Sequence, residues 1–233
     1  MACNFEGVDG NALPINTAFP YAEGMTCGNN INIGDNLQVM TDDGNYVTYY
    51  MSNGKNSKGT ADVADLAHKW AKGGTFAPTE DTIAPGRAFW YISQGHIADS
   101  TKESFNIQVA GSVMMANAPS RELAAKYMII GSPYPVDIPL NSGITVTGGT
   151  EGNNINTGDN IQIMTADGNY DTYYLSNGKN SKGTADVAGL AHKWAKGGTF
   201  TPTEDKFPAG GAAWYVRQGD DPVSVQFINP VAE

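Results

Sequence analysis

The chain has 233 residues, with 24 acidic and 14 basic side chains and a formal net charge of −10. Only 16% of residues are charged, and 28 Gly, 12 Pro, 21 Asn and 19 Thr stand against 7 Leu; this is the make-up of a turn-dense β protein and excludes a Leu-rich coiled coil. The acidic balance argues against nucleic acid as a partner, because that affinity comes from Lys and Arg, and no apolar run approaches the roughly 18 residues of a membrane span.

Residues 1–23 carry little charge and contain Pro14 and Pro20, which predicts an arm able to add a strand to a neighbour's open edge. The first basic residue is Lys55, so the positive region of a signal peptide is missing. That leaves either the mature form of an exported chain or a chain never exported by that route. Cys3 and Cys27, the only cysteines, are a candidate disulfide in an oxidising compartment and two free thiols otherwise.

From residue 28 onward the chain repeats itself. Residues 28–95 and 152–219 align without a gap at an offset of 124, and 52 of the 68 positions are identical. A period this long is a duplicated domain and not a solenoid. The boundaries fall at residues 1–115, a first β domain with its N-terminal arm, and 116–233, a second β domain.

Within each copy, Asn-Leu-Gln-Val-Met at 36–40 becomes Asn-Ile-Gln-Ile-Met at 160–164; apolar residues stay at alternate positions, as in a strand with one buried face. Asp43-Gly44-Asn45 and Asn53-Gly54 read as turns. Residues 60–70 place Val63, Leu66, Ala67 and Trp70 at helical spacing, with Thr60 as N-cap and Gly73-Gly74 as the stop, so one short helix per unit is expected. Phe-Trp-Tyr-Ile-Ser at 89–93 becomes Ala-Trp-Tyr-Val-Arg at 213–217, which predicts that the Trp90 face is core and the Phe89/Ser93 face solvated. A further short helix is expected at residues 120–126.

No nucleophile elbow, zinc helix, phosphate loop or Cys-x-x-Cys pair is present. His68 and His192 are repeat equivalents beside Lys and Trp, and read as surface residues. Glu80-Asp81 and Glu204-Asp205 are adjacent carboxylates that extended backbone would point to opposite faces, so neither pair supplies the two facing carboxyls of a glycosidase. Asp43, Asn45, Asp167 and Asn169 are candidate calcium ligands, since this cation takes six to eight oxygens; plain hairpin turns use the same letters. Tyr49, Trp70 and Tyr91, repeated as Tyr173, Trp194 and Tyr215, are candidate stacking platforms for sugar rings, although a sandwich core also needs large rings.

The order Gly-Asp-Asn-Leu-Gln-Val, Asp-Gly-Asn-Tyr-x-Thr-Tyr-Tyr, Lys-Trp, Pro-Thr-x-Asp and Pro-Gly-x-x-Phe-Trp-Tyr resembles uncharacterised tandem modules of bacterial secreted and surface proteins. It covers residues 34–91 and 158–215. The chain departs from that group in its Gly-Thr-Ala-Asp-Val-Ala-Asp-Leu-Ala-His insert and in lacking an export signal. The resemblance implies an extracellular or cell-surface β module and carries no catalytic residue.

The expectation is therefore a mainly β chain of two tandem sandwich or barrel domains, jelly-roll-like. It would be a non-enzymatic structural protein that assembles with itself into a layer, fibre or coat, with calcium as the one cofactor to consider. Its alternative is a bivalent carbohydrate-binding or adhesion module, in which two copies of one site give avidity.

Overall fold

In the computed structural model, residues 5–7 and 11–230 are described. The chain is mainly β: among the described residues 14 strands lie in four antiparallel sheets, with three short helices between them. Alternation of apolar and polar side chains sets the first sheet. Strand β1 (Asn36–Met40) pairs with β2 (Tyr46–Met51) through a turn in which Thr41 N–H donates to the Asn45 carbonyl at 2.8 Å. Gly44 makes the turn at φ +84°, left-handed backbone that favours glycine. Strand β3 (Trp70–Lys72) adds to β2 and β4 (Phe89–Ile92) to β1, giving the order β3-β2-β1-β4.

A five-stranded sheet follows the same plan. Strands β9 (Asn160–Met164), β10 (Tyr170–Ser176), β11 (Lys193–Lys196) and β13 (Ala212–Val216) repeat the first four, and β6 (Tyr127–Gly131) joins the outer side of β13. Strand β5 (Arg121–Leu123), β8 (Ile144–Thr147) and β14 (Val223–Phe227) form a three-stranded sheet in the order β5-β14-β8. Strands β7 (Ile138–Pro139) and β12 (Lys206–Phe207) pair separately.

Two main cores result. One holds Phe5, Ile15, Phe19, Leu37, Trp70 and Phe89; the larger holds Ile130, Tyr134, Phe207, Tyr215 and Phe227, and also takes in Met40 and Ala88 from the first half. The described residues of the N-terminal arm are therefore packed against the fold. Phe5, Ile15 and Phe19 are buried, and α1 (Ile15–Ala18) lies against the first core. Burying three large apolar side chains outweighs leaving the segment extended in water.

Three further expectations are corrected. The helices expected over residues 60–70 and their equivalents do not form; residues 60–69 and 184–192 are turns that lead into β3 and β11: Val63 N–H reaches the Gly54 carbonyl, His68 N–H reaches the Ser52 carbonyl, and Asp65 and His68 both sit at φ +59°. The helices are instead α1, α2 (Gln94–Ala98) and α3 (Leu140–Gly143). Residues 121–123 form β5 where a helix was expected. Finally, the two faces of β4 are exchanged. Phe89 is 1% exposed and Trp90 only half-buried, while Arg217, expected to be solvated, is 4% exposed and donates to the carbonyls of Leu123, Ala124 and Asp221.

Candidate functional site

The six aromatic residues expected to offer sugar platforms are spent on the interior. Tyr49, Trp70, Tyr173, Trp194 and Tyr215 are each at most 5% exposed, and Tyr91 is half-buried. Trp70 donates its indole N–H to the Phe19 carbonyl at 2.6 Å, and its ring meets Tyr91 edge-on at 6.4 Å, as Trp194 meets Tyr215. A ring packed this way presents no face to a ligand. The tyrosine hydroxyls reach carboxylates instead: Tyr49 to Asp81 at 2.8 Å, Tyr173 to Asp205 at 2.9 Å, Tyr91 to Asp35 at 2.5 Å and Tyr215 to Asp159 at 2.9 Å. Burial, reinforced by the facing carboxylate, pushes all four phenols above their ordinary value of 10.0.

Asp43 and Asp167 close their own turns. Each accepts from a threonine hydroxyl two residues back, Thr41 or Thr165, and from the side-chain amide of Asn45 at 2.8 Å or Asn169 at 2.7 Å. These bonds hold both carboxyls below their ordinary value. Among the described residues no group of three or more His, Cys, Asp or Glu converges to hold a metal. Cys3 lies outside the described residues. Cys27 is half-buried, and burial raises its thiol pKa.

Two features were not anticipated. The first is an apolar groove of about 190 Å³ where the halves meet, lined by Trp90, Ile129, Gln162, Met164, Tyr170 and Trp214. Trp90 and Trp214 lie 6.3 Å apart at a tilt of 44°. Beside it, Asp42 bridges the seam, 2.6 Å from Arg87 and 3.6 Å from Arg121. Part of the signal was in the repeat itself: Asp42 and Arg87, which reach across the seam, become Ala166 and Gly211 in the second copy.

The second feature is an inequality of strand edges. The outer edge of β3 is closed by Asn16, whose amide accepts from Trp70 N–H at 2.7 Å and donates to the Trp70 and Thr79 carbonyls. Asn141 does the same to Trp194 and Thr203 at β11. Residues 105–109 have no such guard. They pack Phe105, Ile107 and Val109 onto the first core, yet no backbone hydrogen bond forms from these five residues among the described residues. The matching strand, β14, lies between β5 and β8. On one side the difference has a local cause: Pro20 falls where β8 would run and has no N–H to give. On the other side, where β5 covers β14, no strand pairs with residues 105–109 among the described residues.

No known protein family, curated protein or solved structure matches the chain.

Proposed function

We propose that this is a non-enzymatic structural protein of the cell exterior, built from two copies of one sandwich-like β unit spanning residues 1–115 and 116–233, which assembles with further copies into a layer, fibre or coat. The observation that carries this reading lies at residues 105–109: β14 is paired on both sides, whereas the matching segment 105–109 forms no backbone hydrogen bond among the described residues. Exposed ladder groups are a template for another chain. The guarded edges at β3 and β11 support the reading, since each is closed to pairing with another chain by its own asparagine. The resemblance to bacterial surface modules supports the extracellular setting. Light scattering over a concentration series, with negative-stain imaging of the same samples, tests it. Ordered oligomers are expected, and a chain that remains monomeric at the highest soluble concentration overturns it.

A second reading, carbohydrate binding or adhesion, rests on the seam groove and not on the buried rings. Half-exposed Trp90 and Trp214 beside the Gln162 amide supply apolar faces and a polar handle, the combination that ring-stacking recognition uses. A glycan array decides it: a hit lost in Trp90→Ala and Trp214→Ala, with the fold retained, supports this reading, and an array without hits removes it.

A further inference from the structure

We infer that residues 105–109 are the contact between two copies of this chain, paired antiparallel about a two-fold axis through Ile107. This rests on the self-assembling reading above and names its contact.

The chain carries its own template for the pairing. Strand β14 meets β5 with Val223 opposite Leu123 and Val225 opposite Arg121, and the Phe227 carbonyl accepts from Ala118 on the same side. On the other side Ile228 N–H donates to the Gly143 carbonyl. In the first half, Ala110 N–H donates to the Ala18 carbonyl in the same manner. Because backbone groups alternate in direction along a strand, the N–H and C=O groups of Phe105, Ile107 and Val109 face the side on which β5 lies in the second half. None of them has a hydrogen-bond partner among the described residues.

The occupant follows from the pattern of the segment itself. Phe-Asn-Ile-Gln-Val is symmetric in polarity about its centre and carries no charge. Two copies related by a two-fold axis through Ile107 place Phe105 opposite Val109 and Asn106 opposite Gln108. Apolar then meets apolar, amide meets amide, and no acidic group of a chain with net charge −10 is brought against another. The side chains of Asn106 and Gln108 are exposed and free to meet across the pair. The edge also has room at its end, where a groove of about 180 Å³ separates Val109 and Val113 from Pro133 and Pro135.

Three variants of the full chain test the pairing, each checked for its fold by circular dichroism. In Asn106→Cys/Gln108→Cys, mild oxidation should give a covalent dimer whose digest contains a peptide joining positions 106 and 108, since facing residues of an antiparallel pair lie within disulfide reach. Asn106→Lys/Gln108→Lys sets like charges opposite each other twice and should raise the dimer dissociation constant about tenfold. Asn106→Lys/Gln108→Glu makes both contacts complementary and should restore the dimer. If the double-lysine variant assembles as tightly as the parent, the two-fold pairing is overturned while self-assembly stands. If the parent is monomeric at every concentration, both fall together.

Discussion

Asp35 and Asp159 are fully buried carboxylates at equivalent positions. Asp35 takes the Thr26 and Gln94 amides at 2.9 and 2.7 Å together with the Tyr91 hydroxyl, and Asp159 takes Thr150, Gln218 and Tyr215. A charge removed from water needs such a set of donors to be tolerated. The tyrosines carry the pH consequence. Tyr49, Tyr91, Tyr173 and Tyr215 hold their protons more tightly in the folded chain than at the ordinary value of 10.0. Their contribution is complete below pH 10.0 and is lost as pH rises toward the folded values, by about 1.4 kcal/mol per pH unit for each ring that ionises only on unfolding. In an alkaline titration, phenolate absorbance from these rings should appear together with loss of near-ultraviolet circular dichroism. Ionisation of all the tyrosines in a chain that keeps its native spectrum would contradict this.

At the scale of elements, Asn16 and Asn141 act as one-residue strands. Each makes a donor and an acceptor pair along the exposed edge of a three- or four-residue strand, next to a buried tryptophan. Asn141→Ala leaves the Trp194 N–H without its partner, and an unmet buried polar group costs about 1–3 kcal/mol. The variant should lose stability by about that amount in denaturant unfolding and exchange the Trp194 amide faster; unchanged exchange would show that the edge does not depend on the side chain. How much of this was legible varies by element. Strands β1 and β9 were plain in their alternation, because burying one face of a strand writes a period of two into the sequence. The helix expected at residues 60–70 failed although its spacing was right, since the apolar residues are placed by turns around Leu66. The sign against it was present: Asp65 becomes Gly189, and both have positive φ, which a helix interior does not allow. The assignment of the Trp90 face failed for another reason. A tryptophan facing a second body has the same pattern as one facing its own core, and the change of Phe89 to Ala213 reads as solvent exposure although both side chains are buried, each in a core of different composition.

Over the whole molecule, the seam decides whether the halves act as one. Met40 and Ala88 enter the larger core, Arg87 pairs with Ile130 as an isolated bridge, and Arg121 donates to the Ile129 carbonyl at 2.8 Å. The ion cluster is a poor candidate for the main stabilising contact. Burial, with Arg87 close by, lowers the Arg121 pKa to about 10 against the opposing pull of Asp42, so its positive charge is held at a cost. The apolar contact between Trp90 and Trp214 has no such opposing term. Truncating either ring should destabilise the chain by an amount short of the about 3–5 kcal/mol of a fully buried aromatic, since both are half-exposed. The decisive quantity is their coupling. In a double-mutant cycle of Trp90→Ala and Trp214→Ala, an interaction energy of about 0.5–1.5 kcal/mol is expected for rings in contact. The parent should also unfold in one calorimetric transition, and the double variant should separate into two as the halves lose their shared surface. Additive effects of the two substitutions, with two transitions already present in the parent, would mean that the halves fold independently and meet without holding each other.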